Sequence, residues 1–254
     1  MSGLLAGKTA VISGIANRWS IAYAIAESFS REGASLVLTT PTEKLRDGIE
    51  AITGGFNVVK TLVLDVAKDD DLDAFGESLR ALNMPIDSLV HSLAFANRED
   101  LANPFVQTSR EGFLLAQNIS AYSLVAMSRQ VAPLMTAGGS IMTLSYLGSI
   151  RVRPNYNVMG VAKASLEASV RYLANDLGPQ GIRVNAISAG AVKTASARAV
   201  KDFSTMLEMT KERAPLRRIT EPAEVGDAAV FLASELGRGV TGNVLFVDSG
   251  MQLL

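Results

Sequence analysis

Two tyrosines and one lysine are spaced so that they could form a reactive centre. Tyr156 and Lys163 are separated by six residues, and Tyr146 and Tyr156 by nine. In a helix, Tyr156 and Lys163 would lie on one face, nearly two turns and about 10 Å apart along the axis. A tyrosine hydroxyl can donate to an oxygen that gains negative charge, and a lysine charge nearby favours an anionic or strongly polarised hydroxyl. The pattern predicts a site that stabilises developing negative charge.

A strand and the helix that follows it must position these residues. Residues 140–145 form a short apolar run typical of a buried strand, which would place Tyr146 at its carboxyl end. Residues 156–177 have a helical pattern that would carry Tyr156 and Lys163. Each residue alone has an ordinary alternative, because a tyrosine near a helix start usually packs and a helical lysine is usually solvated. The three together, at the edge where ligands bind a parallel sheet, favour function.

Short apolar runs alternate with longer amphipathic segments along the whole chain. The runs predict strands at 9–13, 35–39, 58–64, 86–91, 140–145, 182–187 and 244–248. The segments between them predict helices at 20–31, 44–52, 69–82, 110–135, 156–177 and 221–232. Near-continuous apolar strands are typical of a sheet that is covered on both faces. The predicted fold is α/β, a single Rossmann-type doubly wound parallel sheet of about seven strands with helices on both faces, in one domain over residues 1–254.

One segment, residues 188–220, interrupts this alternation. It has no predicted strand and only a weak helical pattern, although it contains Phe203, Met206 and Leu207. So long an irregular stretch in a compact domain is usually functional. We expect a mobile lid over the site, and the alternative is a fixed pair of short helices packed on the core.

The first strand leads into a turn that could bind the phosphates of a dinucleotide. Gly14 allows close approach of the backbone, and Ser20 can cap the next helix and offer its hydroxyl to a phosphate. The glycine-rich G-x-G-x-x-G motif is absent, so this signal alone does not separate a phosphate site from a plain connection. Residues 39–44 show neither an acid at the strand end nor an arginine, which leaves NADH and NADPH both open.

Two further polar residues end strands at the same edge. Asp65 could accept from the adenine amino group, and its alternative role is to cap the next helix, for which Asp69 is better placed. His91 is interpreted as a packed structural histidine rather than an acid catalyst, because nothing in the sequence pairs with it.

Composition excludes several classes of protein and site. The net charge is −1 and both signs are interspersed, so neither nucleic acid nor an anionic membrane is expected as a partner. The absence of cysteine and the presence of one histidine exclude disulfides, thiolate catalysis and histidine-rich metal sites. Residues 1–8 lack the apolar run of a secretory signal, and no apolar stretch approaches the ~20 residues that span a bilayer. A cytoplasmic location is predicted.

The reactive residues depart from those of ordinary short-chain dehydrogenases and reductases. Those enzymes use Tyr-x-x-x-Lys with a serine thirteen residues before the tyrosine, whereas these positions hold Met159 and Tyr146 here. The runs at 144–148, 154–164, 167–174 and 183–190, with the Gly14-x5-Ser20 turn, resemble the bacterial NADH-dependent enoyl-acyl-carrier-protein reductases. These form a divergent short-chain dehydrogenase/reductase family, and the resemblance covers essentially the whole chain.

The resemblance implies a role for particular residues. Tyr146 and Tyr156 would be the active-site tyrosines, with Lys163 as the third catalytic residue. The residues implied to line NADH, or NADPH, are Gly14, Ser20, Ile21, Asp65, Val66, Leu93, Lys163, Val192, Lys193, Thr194, Ala195 and Ser196. The acyl substrate would touch Ala96, Tyr146 and Tyr156, with Phe203 and Met206 in the lid. An acyl carrier protein is the implied partner, and the basic residues that could meet it are Lys193, Arg198, Lys201, Lys211 and Arg213.

The expected reaction is reduction of a trans-2-enoyl thioester, in which Tyr156 donates to the carbonyl oxygen as enolate charge develops. Two other functions stay open, a carbonyl or alcohol reductase and a non-enzymatic NAD(P)-sensing protein.

A homotetramer is also expected by resemblance. The physical reason is that one domain cannot cover the apolar surface on the 165–172 helix and at the C-terminal end.

Overall fold

The apolar runs form seven parallel strands. The computed structural model describes residues 3–192 and 203–254. The strands are β1 (Thr9–Ser13), β2 (Ser35–Thr40), β3 (Val58–Val63), β4 (Ser88–His91), β5 (Gly139–Ser145), β6 (Ile182–Ala189) and β7 (Val244–Val247). They join in one sheet with the order β3-β2-β1-β4-β5-β6-β7. The predicted doubly wound fold is confirmed.

Helices cover both faces of this sheet. They are α1 (Ile21–Arg31), α2 (Glu43–Thr53), α3 (Asp69–Arg80), α4 (Arg98–Ala102), α5 (Arg110–Gln117), α6 (Ser123–Val131), α7 (Asn157–Leu177), α8 (Phe203–Arg213) and α9 (Pro222–Ala233). One core cluster joins the sheet to α3, α6 and α7, for example through Phe75 and Leu166. A second joins it to α1 and α9, through Phe29 and Val225 among others. Two buried faces explain why β1 and β4 are buried at every position.

The long helix predicted over 110–135 is interrupted. Residues Asn118–Tyr122 form a π-helical turn between α5 and α6, and a 3-10 turn, Ala132–Leu134, ends the run at Pro133. The π turn brings the Ser120 hydroxyl against the backbone of Phe95, accepting from its N–H at 3.0 Å and donating to its carbonyl at 3.1 Å. This tertiary contact leaves no trace in the apolar periodicity, so the pattern indicated one continuous helix.

The 188–220 segment is more regular than its pattern indicated. Ser188 and Ala189 extend β6, and α8 occupies Phe203–Arg213. Leu207 of α8 packs with Ala191 and Ile219, so a small apolar cluster of its own stabilises this helix. The prediction of no strand was wrong for Ser188 and Ala189, and the weak helical pattern corresponds to a helix at Phe203–Arg213.

The strand order reverses between β2 and β4, on either side of β1, and this reversal opens a crevice at the carboxyl edge. Gly14 follows β1 there with a φ of +93°, and a Cβ at this position would overlap the carbonyl oxygen of Ser92, which follows β4. Glycine is therefore required both for the backbone conformation and for the close approach of the two chains. No helix in the described part of the chain is long and apolar enough to cross a bilayer.

Two glycines with positive φ allow these two requirements to be separated. Gly7 has a φ of +74° and open space around its position, whereas Gly14 has both the strained backbone and the Ser92 overlap. We expect Gly7→Ala to cost about 1 kcal/mol of unfolding free energy from the backbone alone. Gly14→Ala should cost clearly more, as measured by denaturant unfolding. Equal losses for the two variants would show that the loop after β4 moves aside freely.

Candidate active site

Tyr146 and Tyr156 meet at the carboxyl end of β5. Their ring centroids are 5.0 Å apart with an interplanar angle of 69°, an edge-to-face arrangement. Tyr146 follows β5 directly, and the 3-10 turn Leu147–Ser149 then passes under the Tyr156 ring. A Cβ on Gly148 would overlap that ring, so glycine lets the turn approach it. The structure thus brings together the two tyrosines that the sequence places nine residues apart.

The backbone around Tyr156 is held in an unusual conformation. Asn155 and Asn157 flank it with φ values of 60° and 30°, and asparagine tolerates this region better than most residues. The Asn157 side-chain amide donates to the carbonyls of Leu101, at 2.9 Å, and Asn103, at 2.7 Å. The end of α4 therefore anchors the start of α7, and Tyr156 is fixed at the junction.

Lys163 is buried beneath the tyrosines, with 6% of its surface exposed. Its Nζ donates to the carbonyl oxygen of Leu144 at 2.7 Å. Burial lowers the pKa of Lys163 to about 8, and the charge of Glu167 opposes that shift. At neutral pH the ammonium group is mostly charged. Leu144 is its one hydrogen-bond partner among the described residues, so two of its three protons are available to a ligand.

Of the two predicted states of the Tyr156 hydroxyl, anionic or strongly polarised, the raised pKa argues against the anionic one. Burial raises the pKa of Tyr156 far above its ordinary value, and the charges of Tyr146 and Glu167 raise it further. Burial also raises the pKa of Tyr146, against a smaller opposing effect of Arg153. Removing a phenolate from water is costly here, so Tyr156 is a neutral hydroxyl and a hydrogen-bond donor.

The β1–α1 turn has the features that a dinucleotide pyrophosphate needs. Ser20 is the N-cap of α1, where its hydroxyl accepts from the Tyr23 N–H at 3.4 Å and donates to the Asn17 carbonyl at 2.7 Å. Ile21 opens the helix and packs on the core, while Gly14 keeps the backbone close to the crevice. An open helix N-terminus beside a position that excludes a side chain fits an anionic phosphate.

The other predicted nucleotide residues lie along the same edge. Asp65 follows β3, and its carboxylate accepts from the Ala67 N–H at 3.1 Å and pairs with Lys68 at 3.3 Å. The N-cap of α3 is Lys68, so neither Asp65 nor Asp69 caps this helix, contrary to the expectation for Asp69. Val66 and Val192 are buried, and Leu93 is partly buried against the core. Lys193, Thr194, Ala195 and Ser196 lie outside the described residues.

His91 is structural, as predicted. It is fully buried, with Nδ1 2.8 Å from the Thr143 hydroxyl and Nε2 2.7 Å from that of Ser123. The Ser123 and Thr143 hydroxyls also donate to the carbonyls of Ile119, at 2.7 Å, and His91, at 3.1 Å. Burial, followed by the charge of Lys163, lowers the pKa of His91 to about 3, and the ring does not exchange protons at neutral pH.

An apolar cluster adjoins the tyrosines on the side where the acyl substrate is expected. Ala96 and Tyr156 pack against buried Met159, Val158 and Ala162. Met159 occupies the position of the ordinary catalytic tyrosine and is itself part of this core, so it supplies only apolar surface. Phe203 and Met206 lie in α8, and their side chains are outside the described part of the structure. Met209 and Thr210 of α8 line a cleft with Tyr146.

Sequence reasoning assigned no role to two residues of this site, Asn157 and Glu167. Glu167 is buried and accepts short hydrogen bonds from Ser145 and Ser149. A glutamate four residues after a lysine in a helix of small and apolar residues was the signal available for it. The same spacing occurs on exposed helices, so the pattern alone does not show burial. Among the described residues no cluster of three or more metal-ligating side chains occurs.

Comparison with known proteins gives consistent matches over the whole chain. A sequence model described as enoyl-(acyl carrier protein) reductase matches residues 14–252. The enoyl-[acyl-carrier-protein] reductase [NADH] FabI of Bacillus cereus is 54% identical, covering 99% of both chains. The corresponding [NADPH] FabI of Staphylococcus aureus is 48% identical, covering 98% of both. A crystal structure of the B. cereus reductase with NADP+ and an indole naphthyridinone superposes with a TM-score of 0.97 at 54% identity, covering 99% of each chain.

The depressed pKa of Lys163 predicts a pH dependence of stability in the ligand-free protein. The folded-state pKa is about 8 and the ordinary value is 10.5. Between these values the unfolded chain binds a proton that the folded chain lacks, so wild-type stability rises with pH. Relative to Lys163→Met, which has no such group, the unfolding free energy of wild type should rise by about 1 kcal/mol per pH unit above pH 8. A pH-independent difference in denaturant unfolding would contradict a buried lysine.

Proposed function

Because the chain belongs to the enoyl-(acyl carrier protein) reductase family, we propose that it reduces trans-2-enoyl-acyl-carrier-protein thioesters to saturated acyl thioesters. This is the last reductive step of the fatty-acid elongation cycle. The observation that carries the proposal is a neutral Tyr156 that packs against the apolar cluster of Met159 and lies seven residues before a buried, charged Lys163. The cofactor is NADH or NADPH, as in the names of the relatives.

Tyr156 supplies the donor that the reaction requires. When bound, the reduced nicotinamide supplies a hydride to the β-carbon of the enoyl thioester. Negative charge then develops on the thioester carbonyl oxygen, and the Tyr156 hydroxyl donates a hydrogen bond to it. A proton adds to the α-carbon and completes the saturated product. The raised pKa of Tyr156 keeps its proton in place as a donor, whereas a phenolate would repel the enolate.

Lys163 is placed to hold the cofactor. Its two free N–H groups suit the ribose hydroxyls, and its charge favours the developing enolate. Gly14, Ser20 and Ile21 would hold the pyrophosphate, with Asp65, Val66 and Leu93 near the adenosine. Tyr146 shapes the pocket by its edge contact with Tyr156. By the family resemblance, Val192, Lys193, Thr194, Ala195 and Ser196 would also line the dinucleotide.

The segment 188–220 is proposed as the lid over the acyl chain. Support comes from α8, which packs through Leu207 on Ala191 and borders the Tyr146 cleft with Met209 and Thr210. An apolar cover at this place would exclude water from the developing enolate. Phe203 and Met206 remain the predicted lid contacts with the chain, and Lys211 and Arg213 at the end of α8 could meet an acidic carrier protein. A cytoplasmic location stays a prediction.

We propose a homotetramer because a single copy leaves an edge strand and apolar side chains exposed. β7 is an edge strand whose residues are half-buried, and Tyr172 of α7 is 75% exposed. Leu253, at the C-terminal turn, is 71% exposed. Edge strands and apolar patches of this kind are usually covered by another chain, and closed symmetry allows the same surfaces to be reused.

The reaction is tested with parallel substrates. Oxidation of NADH and of NADPH is followed with crotonyl and longer enoyl thioesters, and with β-ketoacyl thioesters as the contrast. We expect turnover of the enoyl substrates only. Turnover of the keto substrates alone would identify a carbonyl reductase, and tight cofactor binding without any turnover would identify a nucleotide sensor.

Tyr156→Phe should lower kcat by roughly 10²–10³ because it removes a donor that acts as oxyanion charge develops. NADH affinity, measured by fluorescence titration, should stay within about twofold because Tyr156 is assigned to the substrate. Tyr146→Phe is the matched variant and should lose much less turnover. A larger loss of turnover in Tyr146→Phe would assign the donor role to Tyr146.

Sedimentation velocity at micromolar concentration should show a tetramer. Tyr172→Glu places a charge on the exposed face of α7 and should weaken assembly if that face is an interface. Lys60→Glu, on exposed β3 at the opposite edge of the sheet, is the control and should leave the sedimentation coefficient unchanged. A wild-type protein that sediments as a monomer would contradict the proposal.

A further inference from the structure

Glu167 is a buried acid that the proposed reaction does not use. It lies on α7 with 6% of its surface exposed. Its Oε1 accepts from the Ser145 hydroxyl at 2.5 Å and from the Ser149 hydroxyl at 2.6 Å. A buried carboxylate is costly unless it is hydrogen-bonded or paired, so its presence in the core calls for a function.

The position of Glu167 links it to each residue of the site. It lies one helical turn after Lys163, so the two side chains leave the same face of α7. Lys163 bonds the carbonyl of Leu144, and Glu167 bonds the side chain of Ser145. Tyr146 is the next residue along the strand end. The second bond, from Ser149, holds the turn that runs under the Tyr156 ring.

We infer that Glu167 is a positioning residue for this reaction, a buried counter-charge one helical turn from Lys163 that fixes the strand end that carries Tyr146. The inference rests on the proposed function for the identity of the ligand that Lys163 holds. Two consequences follow from one carboxylate. Lys163 stays able to bind ribose hydroxyls, and Tyr146 keeps its place beside Tyr156.

The charges around Lys163 agree with this role. Glu167 raises the pKa of Lys163 against the effect of burial. The same negative charge raises the pKa of Tyr156, which keeps that hydroxyl a donor. From β4, His91 faces the lysine as a neutral ring. Tyr146 carries no charge at neutral pH, and Arg153 and Asp248 act on Tyr146 with opposite signs.

Glu167→Gln isolates the charge, because an amide oxygen can still accept from both serines. The readout is the NADH dissociation constant from pH 6 to 9. Wild-type affinity should fall as pH rises through about 8, where Lys163 loses its proton. In Glu167→Gln this fall should move about one pH unit lower, which makes NADH binding about fivefold weaker at pH 8 and nearly unchanged at pH 6. Glu77→Gln, on the exposed side of α3, changes net charge equally and should not move the midpoint.

Glu167→Asp keeps the charge and should hold the midpoint close to wild type. A second measurement needs no cofactor. The difference in unfolding free energy between the protein with Lys163 and its Lys163→Met variant changes with pH. In the Glu167→Gln background this change should begin at lower pH. An unchanged midpoint in both readouts overturns the inference. If Glu167→Gln does not fold, a folded Glu167→Asp protein with a midpoint lowered by a full unit overturns it instead.

Wild-type enoyl reduction, measured in the same series, separates the two claims. If the wild type reduces the enoyl substrate but the pH profile of NADH binding does not shift in Glu167→Gln, the proposed function stands and the role of Glu167 is wrong. A shift in the NADH profile without any enoyl reduction leaves Glu167 as the counter-charge of Lys163 and removes the proposed reaction.

Discussion

The hydrogen bond from buried Lys163 to the Leu144 carbonyl joins α7 to the carboxyl end of β5, and the rest of the site is arranged around it. The lysine bonds the next-to-last residue of the strand, and beside it the rings of Tyr146 and Tyr156 lie 5.0 Å apart. Glu167 adds two bonds from the next turn of the same helix. A helix fixed to a strand end at several successive residues is a more rigid platform than a loop, which suits a donor that must be preorganised.

Burial has opposite effects on the two ionisable groups of this platform. It lowers the pKa of Lys163 and raises that of Tyr156, because each charged form loses its hydration. The lysine still remains mostly charged at neutral pH, and the tyrosine remains neutral. That combination suits a site that binds a polar cofactor and donates to an oxyanion. A phenolate would be unable to donate, so the neutral hydroxyl fits the predicted role of Tyr156 as the donor.

The far end of the crevice follows a different constraint, close approach of backbones. Gly14 and Ser92 come together where the strand order reverses, and no side chain fits between them. Ser20 and the start of α1 then face the opening. The nucleotide end is thus formed mainly by backbone geometry, whereas the reactive end depends on particular side chains.

The sequence by itself determined the fold class, five of the helices in outline (α1, α2, α3, α7 and α9), and the spacing of Tyr146, Tyr156 and Lys163. These depend on local periodicity and on strand-end positions, which neighbouring residues encode. Only the tertiary structure decided the break in the 110–135 helix, the presence of α8, the neutral state of Tyr156 and the place of Glu167. Ser120 meets Phe95, and Glu167 meets Ser145, across stretches of more than twenty residues. Contacts of that kind, and the desolvation that shifts a pKa, arise only when separate elements pack together.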